Sequence, residues 1–427
     1  MRMFSDKPKA LLRFGALAAA GAIALTGCAE TGGGNSGNGQ GLAYGASKEE
    51  YQAAFADIDR ITLHTQSPGA AGSTAGAFLE NYLKSVEEWS GGKIEFDIAY
   101  SDAIAKAAQI DDAVRDGRLD IGQVVAIYEP KEYPATAALL DTSVLSDQSV
   151  VTGALQSNAW APELAFKTPE IVAEFADRDM KLMFPAYNAG VNALFCTEAR
   201  TTSSEIKGAN ISVGNTAGTQ QVKAIGGNAT SVAYTELYEA LQRGVVDCSM
   251  SSPAVGILGG FIEAAHEVVI DPDAGLAVPT GNMVINQEVW NKLPLVARQL
   301  LWDRMKTFIS GSIEDKIWPI TVEAVDAIRA AGGSVQAFDP ELRAKLQETN
   351  KSIVNDLAKN STFEDGAQFA ANAEELAAKW SKIVADLGYT NESDYNGFAD
   401  WYAPGKIDIG PFVDRLFEEV FLPNRPS

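Results

Sequence analysis

Histidine is almost missing from this chain: His64 and His266 are the only two in 427 residues. A His-ligated metal or a Ser-His relay has little material to work with, and no G-x-S-x-G elbow is present, which argues against an exported hydrolase. Cysteine is nearly as scarce, with three residues in all. Basic side chains are outnumbered, 34 Lys and Arg against 56 Asp and Glu, for a formal charge of −22. Such acidity disfavours nucleic acid as a partner and suits a solvated, self-repelling surface. No apolar run approaches the ~20 residues that span a bilayer. Asp271-Pro272-Asp273 offers two acids to a calcium ion, but two acids around a proline read first as a turn.

What is present begins with a targeting segment. Arg2, Lys7, Lys9 and Arg13 form a basic start, Phe14 to Leu25 a short apolar core, and Leu25-Thr26-Gly27-Cys28 closes it. That closing tetrapeptide resembles the lipobox of bacterial lipoprotein signals. The resemblance predicts removal of residues 1–27, acylation of Cys28, and a protein anchored outside the cytoplasm on the outer face of the cell membrane, in the periplasm where an outer membrane exists. Thr31 to Gly41 is Gly-, Asn- and Ser-rich and lacks the apolar surface to order itself, so residues 28–57 read as lipid anchor and flexible tether. Cys196 and Cys248 remain in an oxidising compartment, each near the end of a predicted strand. A disulfide and two buried thiols both fit that spacing.

The chain is organised around Thr230 to Pro253, TSVAYTELYEALQRGVVDCSMSSP. Tyr234, Leu237, Tyr238 and Leu241 fall on one helical face, Gly244 stands where a helix end needs positive φ, and Val245-Val246-Asp247 predicts a second, buried strand. This is a βαβ unit, and it sends Asp247 to Ser252 to the sheet edge where α/β folds bind ligands. Upstream, Ile61-Thr62-Leu63 starts a strand, a helix capped by Ser73 or Thr74 runs to Gly91-Gly92, and Lys93 to Ile98 is a strand. A second helix over about Ala103 to Asp116 leads into a strand at Leu119 to Gly122. Residues 133–179 read as mostly helical. Met180 to Phe184, Ala193 to Cys196, Ile206 to Val213, Val268 to Ile270 and Met283 to Asn286 read as strands. Long helices follow Leu295, and Leu342 to Leu387 is helical. Asp394 to Ser427 is an aromatic-containing tail to which the sequence assigns no function.

Several of these segments carry a resemblance. Y-T-E-L-Y-E-A-L-Q-R-G-V-V-D is similar to the "S-E-x-Y-x-A-L-Q-x-G-V-V-D-G" signature of solute-binding proteins of TRAP (tripartite ATP-independent periplasmic) transporters, in their dicarboxylate-receptor-like family. W-S-G-G-K-I-E-F, the Leu119-Asp120 strand, Ile206 to Val213 and Trp290 to Pro294 resemble further motifs of that family, so the likeness runs from about Arg60 to Asp339. It implies an α/β, two-lobed, periplasmic-binding-protein-like (flytrap) fold with mixed, mostly parallel sheets and long connecting helices. Residues 58–188 with 278–315 would form lobe I, and 189–277 with 316–390 lobe II and the spanning helices, followed by the tail at 391–427. The implied function is an extracytoplasmic receptor, not an enzyme, that closes on a small organic solute and delivers it to TRAP membrane permease subunits. A lipoprotein sensor presenting its solute to a signalling partner would use the same fold. No cofactor or metal is implied.

The site is where the chain departs from the family. The Arg of the family's "K-I-R-V", which grips a carboxylate with two hydrogen bonds, corresponds to Ser212, and a second frequent Arg to Asn192. The family's Asn after "V-D-G-Q" falls on Ser251 or Ser252, and its aromatic before "S-E" is kept as Tyr234. Ser and Asn give a carboxylate only part of what Arg gives, so the expected ligand is neutral or weakly anionic rather than the family's carboxylic acid. Tyr128 and Tyr187 are candidate apolar walls with polar tips, and Gln66 and Ser67 candidate polar contacts. An Arg or Lys elsewhere could take over the missing Arg's role; Arg200, Lys223 and Arg243 lie in the second lobe but read first as surface charges. Asn215 would cap a helix whose N-terminus is another place for an anion.

Overall fold

The computed structural model describes residues 40–188, 190–278 and 280–427. The leader, Cys28 and the glycine-rich stretch up to residue 39 lie outside the described residues. Eleven strands follow in chain order: β1 Ile61–Ser67, β2 Ile94–Tyr100, β3 Ile121–Val124, β4 Met180–Asn188, β5 Ala193–Cys196, β6 Asn210–Ser212, β7 Asn228–Thr230, β8 Cys248–Ser251, β9 Glu267–Val269, β10 Thr280–Asn286 and β11 Ser334–Gln336. They form two sheets, ordered β2-β1-β3-β10-β4 and β11-β9-β5-β8-β6-β7. The first is parallel at one side, through β1-β2 and β1-β3, and the second at both, through β6-β7 and β6-β8 at one edge and β9-β11 at the other. Antiparallel strands β10 and β5 complete the sheets. The fold is two-lobed α/β.

Two strand connections and one helical rod join the lobes. β4 pairs with β10 as far as Asn188 and Thr280, and beyond this pair their continuations become β5 and β9 of the second sheet, again paired. The rod comprises helix Met305–Gly311, a π-helical turn Ser312–Ile317 and helix Trp318–Ala330. Pro319 has no N–H to give the preceding turn, which accounts for a widened turn just before it. The rod's first part packs on the helix Thr74–Trp89 of the first lobe and its last part near β11 of the second.

Amphipathic periodicity builds the layers. Phe78, Leu79, Tyr82, Leu83 and Val86 bury one face of the helix Thr74–Trp89, which stops at Gly91 and Gly92 with φ +64° and +75°. The second lobe has its own core of Leu194, Ile211, Val222, Val269, Phe338 and Leu346, with Cys196 and Cys248 inside it as a disulfide across β5 and β8.

Three expectations need correction, and the tail, left open by the sequence, gains a place in the fold. Val245-Val246-Asp247 is not strand: β8 begins at Cys248, and Val245 is 60% exposed because the chain is still leaving the turn at Gly244, φ +67°. The helix expected over Ala103 to Asp116 is only a 3-10 turn, Ala107–Gln109, and a short helix, Ile110–Arg115, because Ser101 and Asp102 take left-handed φ of +56° and +52°. Residues 28–57 are not tether throughout: Ser47 and Glu50 form a capping box for a helix Lys48–Ala54 whose Tyr51 is buried. The C-terminal tail is integrated, with helices Tyr395–Trp401 and Gly410–Leu416 and with Phe412, Phe417 and Phe421 all fully buried. Each such aromatic contributes roughly 1.5–3 kcal/mol of burial, which together offset part of the cost of ordering the segment.

Candidate functional site

A cavity of about 180 Å³ lies between the two sheets. Its first-lobe wall comes from the C-terminal ends of β1 and β3 and from the turn after β2: Gln66, Asp102, Ile110, Gln123, Val125 and Tyr128. The second lobe supplies Ser212, Tyr234, Leu237, Met250, Ser251 and Leu258. This is the place where open α/β sheets collect ligands, because neighbouring strands diverge there and leave a crevice.

Polar groups inside the cavity are held in defined positions. The turn at Ser101 and Asp102 curls back so that Ser101 N bonds Gly69 O at 3.1 Å and Asp102 N bonds Ser67 O at 3.2 Å. Asp102 then accepts from Gln66 Nε2 at 3.1 Å and, across the cleft, from the Tyr234 hydroxyl at 2.6 Å. Burial raises the Asp102 pKa, and those two donors temper the rise. Gln66 is saturated, since it also donates to Ala105 O and accepts from Ile104 and Ala105 N–H groups.

Tyr187 occupies the back of the cavity through a local irregularity in β4. The β4–β10 register shifts between Gly281 and Met283, Ala186 takes φ +53°, and the Asn282 side chain accepts from Ala186 N at 3.1 Å. Such a bulge re-aims the following side chain. Gly281 makes room for it, because a Cβ there would overlap the Tyr187 hydroxyl. That hydroxyl donates to Gln123 Oε1 at 2.8 Å, which leaves Gln123 Nε2 buried and without a partner. Thr280 Oγ1, lining the same cavity, is also buried and unpartnered.

Lys316 is the feature the sequence does not reveal. It sits in the π-helical turn of the rod, only 7% exposed, and lines the cavity with its ammonium 4.5 Å from the Phe78 ring centre and 5.4 Å from that of Tyr187. No carboxylate pairs with it among the described residues. Burial alone pushes its pKa down to about 8. The premise behind a neutral or weakly anionic ligand, a cleft without a cation, therefore does not hold.

The other candidates divide. Gln66, Tyr128, Tyr187, Ser212, Tyr234 and Ser251 line the cavity together. Ser67 does not: it is fully buried, with its hydroxyl turned to Gly69 N. Asn192 lies in the lobe crossing, giving its amide to Ala277 O at 2.6 Å. Ser252 is spent capping the helix Pro253–Gly259. Asn215 caps the helix Thr216–Ala224 beside a neighbouring recess, and the anion at that N-terminus is the chain's own Asp141, bonded to Ala217 N at 2.8 Å. Burial lifts Asp141 to a pKa of about 6. Arg200 faces Asp247, Arg243 faces Glu239, Lys223 is exposed, and none of the three lines the cleft. Asp271 is taken by Arg343 at 2.9 Å and by backbone N–H groups, a turn rather than an ion site.

Comparison with known proteins agrees with this geometry. The model of the bacterial extracellular solute-binding protein family 7 (DctP) matches residues 66–360. The monocarboxylate 2-oxoacid-binding periplasmic protein of Nostoc sp. is 24% identical over 355 residues, 80% of this chain and 89% of that protein. Among solved structures, a TRAP solute-binding protein from Rhodoferax ferrireducens with copurified benzoate superposes with a TM-score of 0.63 at 19% identity, covering 76% of this chain and 99% of the other. A marine metagenome TRAP solute-binding protein specific for pyroglutamate gives 0.62 at 18% identity, covering 74% of this chain and 100% of the other. With most of its length matched by that family model, and a cavity between its two lobes, the chain belongs to the bacterial extracellular solute-binding protein family 7.

Proposed function

We propose that this protein captures a small organic acid by closing its lobes and delivers it to the membrane subunits of a TRAP-type transporter, without catalysing a reaction. The observation that carries the reading is the interlobe cavity, walled by both sheets and spanned by the Tyr234–Asp102 hydrogen bond. A ligand touching both walls stabilises the closed form by the contacts it makes only there. Lobe I comprises 58–188 with 278–315 and lobe II 189–277 with 316–390, in keeping with strands from 61–188 and 280–286 in one sheet and from 193–269 and 334–336 in the other. The related proteins named above are described with 2-oxoacid, benzoate and pyroglutamate, all organic acids, which supports an acid here.

Acylation of Cys28, with residues up to 39 as leash, would hold the receptor near its permease on the outer face of the cell membrane. The Cys196–Cys248 disulfide fits an oxidising, extracytoplasmic setting. The test of function is calorimetry of residues 40–427 with a panel of organic acids, alongside small-angle scattering. Saturable binding with a fall in radius of gyration is expected, and a panel that neither binds nor compacts the protein would end the reading. Loss of metabolic palmitate labelling in Cys28→Ala tests the anchor.

A further inference from the structure

We propose that Lys316 is the residue that holds the ligand's carboxylate in this protein, assisted by Gln123 Nε2 and Thr280 Oγ1, and that the cleft accepts one carboxylate on an apolar body. The inference rests on the receptor reading above and goes beyond it by naming the anchor and the charge of the solute.

Three observations converge on one end of the cavity. The Lys316 ammonium is buried against two aromatic faces with no anion beside it. An unpaired cation in such a place is costly unless something negative arrives to share it. Gln123 Nε2 and Thr280 Oγ1 are buried hydrogen-bonding groups with no partner, and both line the same cavity. Tyr187 ties the three together: its hydroxyl fixes the Gln123 amide, its ring lies beside the Lys316 ammonium, and its strand partner Gly281 adjoins Thr280. One ammonium, one amide N–H and one hydroxyl make a donor set for a two-oxygen anion.

Charge balance limits the solute to a single carboxylate. Lys316 and Asp102 are the only charged residues lining the cavity among the described residues. A second carboxylate would meet Asp102 or the apolar surface of Ile127, Val232, Leu237, Met250, Val255 and Leu258. Ser212, at the position that resembles the family's Arg, lines the same cavity without a charge, and the cation there comes from the rod.

The decisive experiment measures binding of benzoate, benzamide, succinate and 2-oxoisovalerate by calorimetry at pH 7 to the wild type and to Lys316→Met. Benzoate or 2-oxoisovalerate should bind the wild type at least 30-fold tighter than benzamide and succinate. Lys316→Met should lose that affinity by at least 30-fold while its unliganded melting temperature holds or rises, since an unpaired buried charge has gone. Should that variant fail to fold, proton uptake replaces it: in buffers of different ionisation enthalpy, the wild type at pH 9 should take up close to one proton per carboxylate bound. Unchanged carboxylate affinity in Lys316→Met, or binding at pH 9 without proton uptake, overturns the anchor. Preference for benzamide or succinate overturns the single-carboxylate assignment while leaving a receptor in place. Binding of none of the four overturns this inference, and only failure of the wider acid panel as well would remove the receptor reading.

Discussion

The Tyr234 hydroxyl donates to Asp102 Oδ2 at 2.6 Å, joining the segment after β7 in one lobe to the turn after β2 in the other. It is a direct side-chain bond across the cleft, and burial raises the pKa of both groups. Removing the hydroxyl in Tyr234→Phe takes a donor from a half-buried carboxylate and weakens closure by an interaction worth about 1.5 kcal/mol. Ligand affinity should fall roughly tenfold. Scattering from the unliganded variant should show a larger radius of gyration than wild type; identical radii and affinities would mean the bond does not hold the lobes.

Lys316 makes ligand binding depend on pH with a definite sign. Its native pKa of about 8 is below the ordinary lysine value, so between about pH 8 and 10.5 the unfolded chain binds a proton that the unliganded native state does not. Unliganded stability should therefore gain up to about 3 kcal/mol from this group across that window, while carboxylate affinity falls. Asp102, Tyr128, Tyr187 and Tyr234 also face the cavity. Burial moves the three tyrosines further upward, and Asp102→Asn serves as the control for the carboxylate. Urea melts and binding isotherms at pH 7 and 9.5, with Lys316→Met as reference, check both halves.

The disulfide pins the far end of the β5–β8 pair, where Cys196 and Cys248 sit opposite each other, while Ser251 at the other end reaches the cavity. Closing a loop of sequence separation 52 removes chain entropy worth about 4 kcal/mol. The backbone ladder between β5 and β8 runs beyond the bond to Ala193 and Ser251, so Cys196→Ala/Cys248→Ala should lose about 2–4 kcal/mol in urea titration and keep its fold. Ligand affinity of the folded fraction should stay within threefold of wild type.

Arg425 near the C-terminus clamps the first of the described residues. Its fork meets Asp303 at 2.7 and 2.9 Å, and it donates to Leu42 O at 2.9 Å. Both charged partners are 11% exposed, so Arg425→Ala strands a mostly buried carboxylate and should cost about 3 kcal/mol. The urea midpoint should drop with little change in affinity. Behind this clamp Phe421 packs edge-on to Phe184 at 4.9 Å, so the tail braces the strand that carries Tyr187.

Local chemistry made much of the fold legible in the sequence. Period-3.6 and short apolar runs marked most helices and strands, Gly91, Gly92 and Gly244 marked their ends, and the Tyr234 to Asp247 wording identified the family. Ser212, Tyr128, Tyr234, Gln66 and Ser251 line the cavity because each follows or ends a strand at the edge facing the other lobe. Those signals are encoded within about a dozen neighbouring residues, the range over which periodicity and capping act.

What tertiary structure alone decided are relations between distant segments. Cys196 and Cys248 become partners because β5 lies antiparallel to β8. Asn192 leaves the site because the lobe crossing turns it to Ala277 O, and the helix beginning at Thr216 loses its vacancy to Asp141. Lys316, in a helix about a hundred residues from Ser212, carries no local signal that sets it apart in the sequence. It becomes a cleft cation only because the widened turn before Pro319 crosses the lobe junction beside Phe78 and Tyr187, and burial there is a property of packing that no local pattern contains.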